Sequence, residues 1–266
     1  MVKGRFNGKS SYLRNLYSHR SIFKSLVINE LIGKYRNTAI GFSWHFLMPA
    51  ILLLLYYVMF TGLRSNDYEN FWIYLAAGIF PFSFMNGNLT NGTTTITSSA
   101  NLIKKMYFPR EIIPLSRVFS SFIISLFGLL IVIIATIVSG HLEGISTLLL
   151  PAILVLMFFF VLGYVLILSA INVFFRDIQY FFASISMLFF FITPMYYLPE
   201  ETTGLLSTII WINPFTYFVN SIQQILYYNM IPSISNIIMC AILSATLLLL
   251  GTIVFNLLKN KFAERL

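Results

Sequence analysis

Residues 144–175 read GISTLLLPAILVLMFFFVLGYVLILSAINVFF, without one charged side chain. A helix needs ~20 apolar residues to cross the hydrocarbon core of a bilayer, so this run spans with residues to spare. Further uncharged runs cover 37–63, 71–103, 118–142, 178–199 and 202–258. Over the whole chain, 10% of the 266 residues are charged and 58% are hydrophobic, and the mean hydropathy is +0.82. A soluble domain carries roughly 25% charged residues, so a soluble globular fold is excluded. The sequence predicts an all-α, polytopic membrane protein.

Allowing for polar ends, six transmembrane helices are expected near Ser43–Leu63, Phe71–Asn91, Ile112–Ser139, Thr147–Asn172, Tyr180–Leu198 and Asn236–Leu258. Lys and Arg accumulate on the cytoplasmic side of membrane proteins. With both termini inside, every Lys and Arg except Arg64 falls in a cytoplasmic segment, while the outer loops carry Asp67, Glu69, Glu143, Glu200 and Glu201. The expected placement is therefore multi-pass in the plasma (inner) membrane with both termini cytoplasmic. Residues 1–21 are basic and polar and hold no signal-peptide apolar core, so no cleavage is expected.

The run from Thr202 to Leu258 is too long for one helix, and its first part is broken by Asn213-Pro214 and Ile231-Pro232. One crossing there would put the basic C-terminus outside. The reading is two short half-helices, Leu205–Ile212 and Phe215–Tyr228, that dip into the outer leaflet and return. Such backbone is tolerated at depth only where protein or a wet cavity covers it.

Two segments carry a pattern beyond crossing. Ile22, Phe23, Leu26, Val27, Leu31 and Tyr35 recur at helical spacing with Arg20, Lys24, Lys34 and Arg36 between them. This is a basic amphipathic helix in the inner interface, open between a lipid anchor and a gate beside a membrane path. Asn101–Glu111, expected as a short cytoplasmic helix, sets Met106, Tyr107 and Phe108 beside Lys104, Lys105 and Arg110. Apolar anchors ringed by charge suit docking into another protein, and headgroup contact is the competing role. The chain thus divides into a cytoplasmic N-terminus with its amphipathic helix, 1–36, and a six-span domain, 37–266. Between the second span and the docking segment, the run Asn86–Ser99 is rich in amides and hydroxyls that are costly against lipid, so they are expected to face a partner helix or a wet path.

Energy coupling within the chain finds no support. No expected span holds an Asp, Glu, Lys or Arg in its interior, which argues against a proton or sodium relay. Gly8-Lys9-Ser10 imitates the end of a phosphate-binding loop, but Lys3 stands where the first glycine is needed and no strand precedes it. Any nucleotide hydrolysis belongs to another chain. A membrane-embedded glycan-processing enzyme would need clustered carboxylates, a metal or a histidine base, and no such constellation emerges. Cys240 is the single cysteine and reads as a small hydrophobe.

Lys34-Tyr35-Arg36-Asn37-Thr38-Ala39-Ile40-Gly41-Phe42-Ser43-Trp44, followed by Pro49, resembles the start of the first span in ABC-2 type permeases that export polysaccharides. Lys104-Lys105-Met106-Tyr107-Phe108-Pro109-Arg110-Glu111-Ile112-Ile113-Pro114-Leu115 resembles that family's coupling region. Phe175-Arg176-Asp177-Ile178, Thr193-Pro194-Met195 and Ile212-Asn213-Pro214-Phe215 follow in the family's order, so the resemblance runs from about Ile28 to the C-terminus. It implies a half-transporter. Two copies of the chain would form a path for lipid-linked O-antigen, capsule or teichoic acid chains, and two copies of a separate ATPase subunit would bind ATP and Mg. No cofactor would sit in this chain, and no nucleic acid is implied. The coupling helix would present Lys104, Lys105, Met106, Tyr107, Phe108, Arg110 and Glu111, and the gate would include Lys34, Tyr35, Arg36 and Trp44. Sugar rings stack on aromatics, which makes Tyr56, Tyr57, Phe60, Phe190, Tyr196 and Tyr197 the candidate path residues, although interfacial anchoring would also place aromatics there. An ABC-2 permease for drugs or lipids would share the topology. Gln223 and Gln224 depart from the pattern, where an arginine is expected.

Overall fold

The computed structural model describes residues 18–33, 41–44, 47–48, 50–51, 54–55, 58–59, 70–138, 140 and 145–266. Among these the regular elements are all helical. Lys34, Tyr35 and Arg36 of the expected gate, and Tyr56, Tyr57 and Phe60 of the expected path, lie outside the described residues. So does much of the expected first span, within which the described positions from Trp44 to Met59 are helical.

The first helix, α1 (Arg20–Gly33), buries Val27 and packs Ile22, Phe23 and Leu26 against the bundle while its basic positions face out. This is the amphipathic pattern expected of it. Next, α2 (Phe71–Asn91) starts after Asn70, whose left-handed backbone (φ 53°) turns the chain into the helix. Two short helices, α3 (Thr95–Ser98) and α4 (Ala100–Lys105), lead to α5 (Ile112–Val138) and then α6 (Leu150–Asn172). Pro151 lies in the first turn of α6, where a missing N–H costs nothing.

The sequence expectation and the structure part at α7 (Asp177–Ile192), which stops well short of Leu198. Pro194 accounts for the stop, because the residue before a proline is pushed out of the helical region, and Thr193 is extended (ψ 128°). At 1.5 Å per residue its 16 residues reach about 24 Å, less than the ~30 Å apolar core of a bilayer. After it come α8 (Leu205–Ile212), α9 (Pro214–Leu226), α10 (Ile234–Leu258) and the terminal turn α11 (Phe262–Arg265). Among the described residues three helical stretches are long and apolar enough to cross a membrane: 112–134, 146–172 and 234–265. The α8–α9 pair, bent by 90°, is a fourth candidate if counted as one span.

The α8–α9 corner follows from local chemistry. Asn213 caps α9 by accepting from the Phe215 N–H (3.0 Å), and Pro214 occupies the first helical position. Asn213 also donates to the Thr193 hydroxyl (2.8 Å), which pins the corner to the extended segment after α7.

Helix α6 is the hub. Two-thirds (67%) of its crossing window is buried, against 17% for α10, whose outer face exposes Leu249, Leu250, Ile253 and Leu257. An apolar exposed face on a helix of this length is what lipid contact demands. The inner face of α10 meets α6 through glycine: a Cβ on Gly163 would sit 2.4 Å from the Leu247 carbonyl carbon, and one on Gly251 would sit 2.4 Å from the Gly163 oxygen. Small residues permit this backbone approach between membrane helices, and the Ser244 hydroxyl adds a bond to the Leu156 carbonyl (2.7 Å). On the other side of α6, Tyr164 donates to the Met85 carbonyl of α2 (2.5 Å).

Candidate functional site

Three regions carry the chemistry. The first is the segment between α4 and α5, where expectation and structure differ in detail. Asn101–Glu111 is not one helix: α4 ends at Lys105, and Met106 is extended (φ −129°, ψ 139°). Pro109 restricts the residue before it and blocks a continuous helix.

The structure also divides the seven predicted coupling residues into two sets. Lys104, Lys105, Met106 and Tyr107 point out, and Tyr107 is 95% exposed. Phe108, Arg110 and Glu111 turn inward. Phe108 is buried, Glu111 pairs with the Lys259 ammonium (2.5 Å), and Arg110 bonds the Lys259 carbonyl and lies over the Phe262 ring (5.9 Å). Phe262 is fully buried and touches Phe255 of α10 and Phe174 beyond α6. An exposed aromatic and two lysines are thus presented on a base clamped to the C-terminal tail.

The second region is a cavity of about 640 Å³ between α1, α2 and α5, at the same end of the bundle as the coupling segment. Here one amide of the Asn86–Ser99 run reaches another helix, while the hydroxyls of the run bond back to carbonyls of their own segment and the Asn86 side-chain oxygen is buried without a partner. Asn88 donates to Ser121 across the helix pair (2.8 Å), and the Thr93 hydroxyl returns to the Leu89 carbonyl (2.7 Å). The α1 helix is held over the cavity by the Ser120 hydroxyl on the Val27 carbonyl (3.3 Å), the Phe23–Phe119 ring pair, and Arg117 against Glu30 (3.7 Å).

The third region joins the half-helices to the rest. Gln223, fully buried in α9, donates to the carbonyls of Pro194 (3.1 Å) and Tyr74 (3.3 Å). Tyr74 of α2 in turn donates to the Tyr197 carbonyl (2.8 Å). An arginine would bring a charge into this buried knot, where the visible acceptors are backbone carbonyls. The NH2 group of the amide the chain carries there is matched by these acceptors, while its oxygen is buried without a partner; sequence reasoning missed that role because Tyr74 and Pro194 are distant in the chain. Among the predicted path residues, Phe190, Tyr196 and Tyr197 are brought together: ring centroids lie 6.1 Å apart for Phe190–Tyr196 and 5.1 Å for Tyr196–Tyr197. All three are half-buried, and the Tyr197 hydroxyl caps the Ile192 carbonyl at the end of α7 (2.6 Å). Trp44 is half-buried in the described part of the first-span region. Among the described residues no three of His, Cys, Asp and Glu converge as metal ligands would.

Lipid-length apolar helices, all-helical structure among the described residues and a bent helix pair define an integral membrane protein. The chain belongs to the ABC-2 type transporter family, whose model matches residues 22–227. It is similar to the O-antigen export system permease protein RfbA of Myxococcus xanthus, with 28% identity over 95% of this chain and 98% of that one. It is also similar to the O-antigen export system permease protein RfbA of Klebsiella pneumoniae, with 30% identity over 95% of this chain and 98% of that one.

Proposed function

We propose that this chain is the transmembrane subunit of an ATP-binding cassette exporter that carries lipid-linked polysaccharide, of the O-antigen, capsule or teichoic acid type, outward across the plasma membrane. The observation that carries the reading is the end-to-end similarity to O-antigen export permeases, which leaves only about a twentieth of this chain unmatched.

In this reading two copies of the chain enclose the path, each with six spans and both termini cytoplasmic, and two ATPase subunits bind ATP and Mg beneath them. Lys104, Lys105, Met106 and Tyr107 form the surface the ATPase holds, and the clamp of Phe108, Arg110 and Glu111 keeps that surface in place. The α1 helix, together with Lys34, Tyr35, Arg36 and Trp44 after it in the sequence, is the gate. Tyr56, Tyr57, Phe60, Phe190, Tyr196 and Tyr197 offer ring faces on which a glycan slides. The chain does no bond chemistry; ATP binding in the partner draws the two ATPase subunits together, and the exposed segment passes the motion into the helices.

The test is deletion of the chain in its native host, followed by complementation and purification from native membranes. The expected result is intracellular accumulation of lipid-linked glycan, restored export on complementation, and co-purification of a P-loop ATPase at equal stoichiometry. A well-folded chain that comes without an ATPase, from cells whose surface glycan is unchanged, would overturn the proposal.

A further inference from the structure

We infer that the cavity between α1, α2 and α5 is a binding site for sugar units of the exported glycan. This rests on the polysaccharide-export reading and adds a place and a chemistry to it.

Two polar stripes face each other across the cavity. On α2 they are Ser83, Gly87 and Asn91, and on α5 they are Arg117, Ser121 and Ser125, each set repeating every four residues and so lying on one helix face. Ser83 is exposed although Phe82 and Phe84 beside it are buried, so the exposure is into the cavity. At Gly87 an added Cβ would meet nothing within 4 Å, which makes that residue an open floor. The Ser125 hydroxyl is buried and has no hydrogen-bond partner. A buried hydroxyl without a partner costs free energy, and one that lines a roomy polar cavity is poised to take a partner from a ligand.

The kind of ligand follows from the charge count. Among the described residues Arg117 is the cation in the lining and Glu30 the anion, and the two lie 3.7 Å apart, so that part of the wall offers no uncompensated charge. A diphosphate would call for free cations and charge-assisted bonds. A neutral polyol instead calls for mixed donors and acceptors beside apolar faces, which here are the amides of Asn29 and Asn91, the serine hydroxyls, and Phe80 and Phe84. At about 640 Å³ the space falls within the range of small-molecule sites and admits a short stretch of glycan.

The test uses the full chain with its ATPase in the native host. Gly87→Leu projects a side chain into the cavity from a position where the Cβ meets nothing within 4 Å, and it is expected to cut surface glycan at least tenfold while chain level and co-purified ATPase stay at the native level. If the native chain itself moves no glycan, the export reading fails and this inference with it. If the native chain exports and Gly87→Leu exports as well, only the inference fails. Labelling guards against a folding defect in that variant. With Cys240→Ala removing the natural thiol, Ser83→Cys in the purified complex is treated with a small charged thiol reagent. Lipid-linked glycan purified from the deletion strain should slow the labelling at least fivefold, and the same lipid carrier freed of its sugar less than twofold. Equal protection by the two would assign a lipid-headgroup site and overturn the inference, as would no protection by either.

Discussion

Substituting alanine at Gly163 tests the contact on which the bundle turns. The new methyl carbon would stand 2.4 Å from the Leu247 carbonyl carbon and 2.6 Å from the Leu248 nitrogen, both backbone atoms that cannot rotate away. Ordinary contact begins at 3.4 Å, so α6 and α10 must part by about 1 Å. A gap of 0.5–1 Å already forfeits roughly a quarter to a half of each dispersion contact along the seam, and overpacking costs about 1–3 kcal/mol. The same shift stretches the 2.7 Å Ser244–Leu156 bond beyond hydrogen-bond range, a loss of about 0.6 kcal/mol by membrane-protein averages. Against this, alanine is the better helix former by about 0.5–1 kcal/mol. The strain wins, and the net expectation is destabilisation of about 1–3 kcal/mol, read by reversible unfolding of the purified chain in mixed micelles. Gly87→Ala supplies the contrast, because nothing lies within 4 Å of its Cβ and the propensity gain stands alone. A Gly163→Ala protein as stable as the native chain, or more so, would refute the close-packed seam.

Tyr107→Ala should leave the unfolding midpoint unchanged, since the ring is 95% exposed, yet lower ATPase co-purification at least tenfold. Glu111→Lys should loosen the C-terminal tail, detected as faster carboxypeptidase trimming, and adding Lys259→Glu should slow the trimming again by restoring the pair in reverse. Gln223→Leu removes both bonds from the knot below the half-helices, at about 0.5–1.5 kcal/mol each, for a loss of about 1–3 kcal/mol in the same unfolding assay; Gln223→Glu should be worse, because its carboxylate cannot donate to either carbonyl.

Much of the fold was legible because its helix boundaries are written in local chemistry. Phe71–Asn91 and Leu205–Ile212 begin and end where expected, the second stopped by Asn213-Pro214. The early end of α7 and the break after Lys105 also had a signal, in Pro194 and Pro109, which the apolar and aromatic runs around them outweighed in the reading. What sequence could not supply was pairing across distance. Phe108, Arg110 and Glu111 look like docking residues in a linear reading, and only the tail at Lys259 and Phe262 draws them inward. Likewise the polar end of the second expected span announced that it needed partners, but nothing local said that α5 would answer with its own stripe of four-residue spacing.

The clamp at Lys259 gives the exposed segment two outputs. Along the backbone, Glu111 leads directly into α5, which carries one wall of the cavity. Through side chains, the same residue grips the end of α10, whose glycine seam packs it backbone to backbone against α6. A displacement applied at Tyr107 therefore splits at a fork, with one prong bending the cavity wall and the other shifting the central helix pair. If that segment is where the proposed ATPase pushes, the contacts of Glu111 and Arg110 with Lys259 and Phe262 set the ratio of the two strokes, and weakening them would change how the work is divided before it changed whether the partner binds.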